Sequence, residues 1–512
     1  KIKKAKIRGE RSEGMICAED EIGLGQDHSG IMILETKLPN GTPASEYFQI
    51  KDDYLIEIGL TPNRSDAASH IGVARDLAAL LNEPVRWPDV TGFSPDQKNK
   101  PLPVKLENTQ ACPRYTSITI EDITVKDSPD WLKQKLQSIG LTPLNNVVDV
   151  TNFVLHEMGQ PLHAFDADKI EGRQVIVRTL EEGSKFTTLD EKERTLTNND
   201  LMICNSKEGM CIAGVFGGIK SGINESSKNV FLESAYFNPD YIRKTAQHHG
   251  LKTDASFRYE RGTDPNITVY ALKRAALLIK ELAGGKISTQ ISDIYPDPIN
   301  DHEVKLNLKH VSRLIGLEIR KERIEKILKS LEIKVIKKEE DVWTIHIPPY
   351  RTDVTREADV IEDILRIFGF NNIPLVENNS ASYLADFPAN DPLLLKQRIA
   401  NFLVDNGFFE AVTNSLTSSG YSQHSAELNQ DNDVIIYNKL SEDLDVMRQS
   451  LVYSLLEVAA YNLSHKQQQT RFFEFGKTYH KGNKGNYEEK QWLGILITGD
   501  FQQESWMQNT EI

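Results

Sequence analysis

The chain has 512 residues, 39% of them apolar and 26% charged, and a formal net charge of −14; that length exceeds what one core supports and predicts roughly three to five domains. The acidic balance excludes a general nucleic-acid coat, which needs clustered cations, so RNA contact has to come from local patches. No apolar run approaches the roughly 18 residues that span a bilayer and no secretory leader is visible, so a soluble, cytoplasmic protein without membrane contact is expected.

The opening KIKKAKIRGERSEGMICAEDEIGLG carries six Lys or Arg by position 11 and begins at Lys1 rather than Met. It reads as a basic strand leading into a glycine-rich loop, and as the start of a fragment; lysines on a solvated strand edge are the plainer account of the charge. YLIEIGLTPNRSDAASHIGVARDLAALLNEP then predicts a strand, a turn at Pro62 and Asn63, and a helix capped by Ser65 or Asp66. Its apolar stripe is Ile71, Ala74, Leu77, Ala78 and Leu81. Trp87 to Pro103 reads as a linker.

From Val104 onward, β-rich runs (YTSITIEDITV, QVIVRTL, DLMICN, NVFLESAYF) alternate with helices whose starts are marked by Ser128-Pro129, Asn238-Pro239 and Asp264-Pro265. Between the first two lies LTPLNNVVDVTNFVLHEMGQPLHAFDAD. Here Asn145 is the expected cap, Val147, Val150, Val154 and Met158 the apolar stripe, and Gly159 with Pro161 the stop, followed by a polar turn holding His163 and Asp166. Thr151 and Asn152 fall on the other helix face. Taken alone, these polar residues are most simply local hydrogen-bonding groups around a buried histidine. IAGVFGGIKSG is neither GxGxxG nor a P-loop. Its glycines suit either a tight turn or close backbone approach to a ligand. Glu233 sits on a mostly apolar strand, where a carboxylate needs a partner.

A further module begins near His302, with helices KHVSRLIGL and RKERIEKILKSL, strands IKVIK and VWTIHIP, and a last helix in which Ala358, Ile361, Leu365 and Phe368 face a core. Asp359, Glu362 and Asp363 fall at i, i+3 and i+4, with Asp353 just before the helix. Pairing with Arg356 and Arg366 is the plain reading, at ~0.3 kcal/mol each; gathering hard oxygen ligands for Mg²⁺ is the alternative. The final part predicts the helices DPLLLKQRIANFLVDNGFFEAV and VMRQSLVYSLLEVAAYNLSHK and the strands RFFEFGKTYH and QWLGILITG. No GxSxG, HExxH or reactive-cysteine frame occurs, and the four cysteines are scattered, so neither zinc nor a disulfide framework is expected.

The run VVDVTNFVLHEMGQPLHAFD resembles the editing-domain signature of the bacterial phenylalanyl-tRNA synthetase β subunit, and GERSEGMICAEDEIGL, TPNRSD and RFFEFG match the same family in the same order. The resemblance implies an α+β, multidomain fragment lacking both ends. Its divisions are the end of a tRNA-binding oligonucleotide-binding barrel (1–40), a strand-helix support segment and linker (41–103), a large mixed α/β editing domain (104–300), a small helix-strand module with an acidic helix (301–375), and a partial class II synthetase-like antiparallel sheet domain (376–512).

The resemblance also implies His163, Glu233, Thr151 and Asn152 as catalytic residues of tyrosyl-tRNA(Phe) hydrolysis, Pro161, Ala213 and Gly214 as substrate-binding, and Asp353, Asp359, Glu362 and Asp363 as Mg²⁺ ligands, with Asp363 where Glu is common. ATP chemistry would belong to the α subunit, the partner in an α2β2 heterotetramer that binds tRNA(Phe). A non-catalytic tRNA-binding and assembly scaffold is the alternative. A free-standing metal-dependent hydrolase built on the four acids is a third reading, weakened by the lack of any nucleophile near them.

Overall fold

The run NVFLESAYF forms a strand, Val230–Tyr236, buried along nearly its whole length, which a sequence of apolar and small residues broken by Glu233 allows. A computed structural model describes residues 4–7, 9–23, 28–48, 53–375, 390–482 and 485–499. By compactness the chain divides into 1–375 and 376–512; 376–389 and 500–512 of the last expected domain, and 1–3, 8 and 24–27 of the first, lie outside the described residues.

In the first unit the Val230–Tyr236 strand, hereafter the glutamate strand, is interior to an antiparallel sheet. It pairs on one side with Arg114–Glu121, the tyrosine strand, and on the other with His163–Asp166, the histidine strand. Lys286–Ile287 and Ser292–Ile294 pair with the far side of the tyrosine strand. Alternation along the strands gives this sheet two buried faces. One, with Val230, Leu232, Ile118 and Ile120, packs on helices Val148–Met158 and Thr268–Ala283. The other, with Phe231, Ala235 and Tyr115, packs on a second five-stranded sheet whose central strands are Gly209–Ile212, Leu201–Cys204 and Val175–Thr179. Helices, sheet and sheet thus form three layers around two cores.

Local chemistry explains the helix beside the histidine strand. Asn145 Oδ1 accepts from the backbone N–H groups of Val147 and Val148 at 3.1 and 3.0 Å, the valine stripe is buried, and Gly159 closes the helix at φ 77°. The expected polar turn that follows is instead a strand: His163 through Asp166 pair with Glu233 through Val230. Tertiary pairing has overridden a local turn signal. The helix at His70–Leu81 is capped by Ser69, which accepts from Gly72 N–H at 3.0 Å, and not by Ser65 or Asp66; Asp66 is held instead by both nitrogens of Arg64 at 2.9 Å.

Residues 302–368 form a three-stranded antiparallel sheet (His302–Asn307, Val342–Ile347, Lys334–Lys338) against three helices. The last helix, Glu357–Phe368, buries Val360, Ile361, Ile364 and Ile367, with Leu365 and Phe368 partly buried against the same core; of the expected line only Ala358 is exposed, and the buried face is centred one position to the side of it. That offset carries Asp363 inward, where it meets Arg351 at 2.7 Å and Arg366 at 3.1 Å. Arg351 also lies 3.8 Å from Asp66 and 3.4 Å from Asp353.

In the second unit, strands Thr470–Lys481 and Tyr487–Thr498 pair over their full length, with Phe409–Glu410 parallel on the other edge and helix Val452–Ser464 packed against them. Its core holds a buried ion pair, Arg448 to Glu474 at 2.8 Å.

Replacing Arg351 with Met leaves the carboxylates of Asp66, Asp353 and Asp363 without their shared cation. The expected loss is about 3–5 kcal/mol of stability, read as a lower denaturant midpoint, with partial recovery on adding Asp363→Asn. An unchanged midpoint contradicts the network described.

Candidate functional site

The pairing register of the glutamate strand sets Glu233 directly opposite His163 on one neighbour and Ser117 on the other. All three lie on the face toward the second sheet. Glu233 is only 3% exposed. Its Oε2 accepts a hydrogen bond from the Tyr115 phenol at 2.7 Å, a diagonal cross-strand contact. Among the described residues Oε1 takes no hydrogen bond, and it is not sealed from solvent-sized space. Burial, which disfavours the charged form, pushes the Glu233 carboxyl up to about 8, with the Tyr115 bond opposing it. His163 is partly buried, stacks edge-on to Phe165 at 4.4 Å, and is pushed down to about 4 by desolvation, so it is neutral near pH 7.

The glycine loop closes on this pair. A Cβ added at Gly217 would come within 3.0 Å of His163 Cε1, and one at Gly214, already at φ 67°, would come within 2.9 Å of both the Phe237 and Tyr259 rings. Glycine is required at Gly214 by conformation and by space together. Beyond Gly217 the loop runs back beside the histidine strand, Asp166 N–H donating to Ser221 O at 3.0 Å. Ala213 is buried and its N–H bonds Leu201 O. Pro161 is buried too, and its carbonyl accepts from Gln160 Nε2 at 3.0 Å and lies 3.2 Å from Tyr259 Oη. The same two groups reach Ala235 O, two residues along from Glu233. They tie the entry of the histidine strand to the glutamate strand.

Thr151 and Asn152 stand apart from this arrangement. Their helix packs its valines on the opposite face of the sheet, the Thr151 hydroxyl donates to Val148 O at 2.7 Å, and the Asn152 side chain makes no hydrogen bond among the described residues. The structure sets His163 opposite Glu233 and places Tyr259 against both the Pro161 carbonyl and Gly214, with Ala213 in the core between the two sheets; among the described residues Thr151 and Asn152 make no hydrogen bond to any of these groups. Tyr115, Gln160 and Tyr259 were not singled out in the sequence. Their signal was available: a tyrosine on a core-facing strand position needs a partner for its hydroxyl.

The four acids of the second module are dispersed among arginines. Asp363 and Asp353 face Arg351, and Asp359 accepts from the backbone of Thr355 and Arg356 and pairs with the Arg356 guanidinium at 2.8 Å; Glu362 is exposed and has no partner among the described residues. Among the described residues no three His, Cys, Asp or Glu side chains converge to hold a metal ion. As they stand in this chain these residues do not fit a resident Mg²⁺: buried cations already compensate two of them and a helix start claims a third.

Comparison with known proteins places these units. Residues 111–284 match the B3/4 domain, 304–370 the tRNA synthetase B5 domain, and 388–512 the phenylalanyl tRNA synthetase beta chain CLM domain. Two of these three domains are named for tRNA synthetases, which gives the class of protein that this chain resembles. Phenylalanine–tRNA ligase beta subunits of Bacteroides fragilis strain YCH46 and Bacteroides thetaiotaomicron are each 48% identical to this chain over 99% of it and 63% of their own length, and that of Porphyromonas gingivalis is 45% identical over the same shares. The chain belongs to the phenylalanine–tRNA ligase β-subunit family and spans about 63% of the length of these relatives. An N-terminal fragment of the phenylalanyl-tRNA synthetase beta-subunit of Pyrococcus horikoshii overlaps 60% of this chain and 84% of that fragment at 18% identity and a TM-score of 0.32, too loosely to add weight.

The two titrating groups act on stability in opposite senses. Between its ordinary 4.5 and about 8, Glu233 keeps a proton in the folded chain that the unfolded chain has released, so its contribution falls as pH rises through that window. His163 refuses, between 6.5 and about 4, a proton that the unfolded chain takes up, so its contribution is lost as pH falls. From about pH 6.5 to 8 only the Glu233 slope remains. Glu233→Gln, compared with wild type by thermal melts across that range, is expected to remove a downward slope in Tm. Parallel curves refute the assignment.

Proposed function

We propose that this chain serves as the β subunit of a cytoplasmic phenylalanine–tRNA ligase, and that the site around Glu233 and His163 hydrolyses tyrosine wrongly esterified to tRNA(Phe). Family membership supports the first half. The second rests on one observation: a nearly buried carboxylate with one oxygen unpartnered, aligned across a strand pair with a neutral imidazole and bordered by a glycine loop.

The chemical problem is one of selection. A pocket that binds phenylalanine through apolar contacts rejects an added hydroxyl by only about a hundredfold, so a second site must recognise the hydroxyl positively. Glu233 offers an acceptor to a tyrosine phenol in surroundings where an unsatisfied carboxyl is costly, which penalises the phenyl side chain that cannot satisfy it. The neutral His163 would orient water or the ester at the reacting end; Pro161, Ala213 and Gly214 would line the path of the aminoacyl group. Thr151 and Asn152 act through the helix that supports the histidine strand. Activation of phenylalanine with ATP falls to the α subunit, with which this chain would form an α2β2 assembly that binds tRNA(Phe).

The test is deacylation of tyrosyl- and phenylalanyl-tRNA(Phe) by the reconstituted α/β complex, with aminoacylation followed in parallel. Glu233→Ala should lower tyrosyl-ester hydrolysis by roughly ten- to a hundredfold, about 1–3 kcal/mol. His163→Ala should slow both esters, and neither change should alter aminoacylation. Wild-type editing in both variants means that other residues carry the hydrolysis, and no editing by the wild-type complex leaves the chain as a tRNA-binding scaffold.

A further inference from the structure

We propose that Tyr115 is a specificity-determining positioning residue: by occupying Oε2 of Glu233 with its own phenol, it fixes the carboxyl so that Oε1 is the single acceptor presented to an incoming phenol. The inference rests on the editing reading above and adds a residue to it.

The geometry carries the argument. Tyr115 is fully buried, and its hydroxyl lies 2.7 Å from Glu233 Oε2. The tyrosine and glutamate strands pair without a break from Arg114↔Tyr236 to Ile120↔Val230, so the ladder fixes both backbones and the face on which the two side chains meet. A buried carboxyl free to turn about its last bond would offer either oxygen, or a proton, to a ligand. One held by a resident phenol offers one oxygen. The two phenols, one resident and one arriving, would then share a single carboxyl group, and a phenyl side chain would leave Oε1 unsatisfied.

Charge follows from the same contact. The groups facing Glu233 come from every packed element: Tyr115 and, just before its strand, Cys112; Cys211 from Gly209–Ile212; Tyr259 from helix Asp254–Tyr259; and His163 across the pair. Burial holds both thiols and both phenols far toward their neutral forms, and His163 is neutral too. Tyr115 is the one group whose hydrogen bond favours the Glu233 carboxylate. Its removal should keep Glu233 protonated to higher pH, weakening the acceptor that a substrate phenol needs.

The experiment compares wild type with Tyr115→Phe, which keeps the ring and its packing, in the full α/β complex. Tyrosyl- and phenylalanyl-tRNA(Phe) hydrolysis is measured from about pH 6 to about pH 9, and the carboxyl stretching band of Glu233, assigned with Glu233→Gln, is titrated by infrared difference spectroscopy. The expected result is a roughly tenfold loss of tyrosyl preference just above about pH 8, where wild-type Glu233 has released its proton and the variant's has not, and a carboxyl band that persists to higher pH than in wild type. Phenylalanyl-ester hydrolysis should be unchanged. Equal slowing of both esters with an unmoved titration makes Tyr115 merely structural and overturns the proposal, as does wild-type preference in the variant. A wild-type complex that hydrolyses neither ester sinks the editing reading, and an unmoved carboxyl titration in the variant then overturns the Tyr115 coupling separately.

Discussion

Everything about the candidate site depends on the register of one strand. Pairing of the glutamate strand with the tyrosine strand puts Glu233 opposite Ser117 and Tyr115 opposite Ala235, and pairing with the histidine strand puts His163 opposite Glu233. Side chains alternate along a strand, so a slip of one residue would turn Glu233 onto the helix-packed face among Val150, Val154 and Ile279 and would bring Leu232 beside the histidine. Register is enforced from both sides of the sheet. Phe231 and Ala235 belong to one core, Val230 and Leu232 to the other, and no shifted pairing satisfies both. The apolar residues on either side of Glu233 determine its place, and a retained proton together with the Tyr115 hydrogen bond lets the carboxyl stay in the interior.

A second constraint operates in the small module. The buried face of helix Glu357–Phe368 includes an aspartate, and the charge is met by Arg351, itself 3% exposed, with Asp66 and Asp353 alongside. Burial weakens the arginine's hold on its proton, and the carboxylates of Asp363, Asp66 and Asp353 more than offset that. Such a network contributes little net stability over an apolar core, but it fails badly when one partner is removed. Its value lies in joining elements. Asp66 precedes helix His70–Leu81, while Asp353 and Asp363 belong to the module that starts near residue 302, so the network fixes the module against the segment before the B3/4 domain.

Much of this was legible in the sequence, for identifiable reasons. The valine stripe, the Asn145 cap and the Gly159 stop are local signals, and the helix they announce forms as read. An unpaired Glu233 in VFLESAY demanded a partner, and it has one. The histidine strand was misread as a turn because its conformation is dictated by the glutamate strand, some 70 residues later in the chain. Helix faces were read within roughly one residue of true, yet in Glu357–Phe368 that offset decides whether Asp363 is a solvent-facing ligand or a buried ion-pair partner. Tyr115 lies in no motif, and Gln160 lies within the signature run without any pattern marking its partners. Their roles arise only where two strands meet, which no local pattern records.

The central claim is that Glu233 distinguishes a phenol from a phenyl group, and binding isolates this from hydrolysis. The most direct measurement is calorimetric titration of the α/β complex with non-hydrolysable tyrosyl- and phenylalanyl-adenosine analogues, in wild type and in Glu233→Ala. The account predicts that wild type binds the tyrosyl analogue at least about tenfold more tightly, about 1.4 kcal/mol, and that the variant binds both alike. Equal affinities in wild type, or a preference that survives the loss of Glu233, would contradict it.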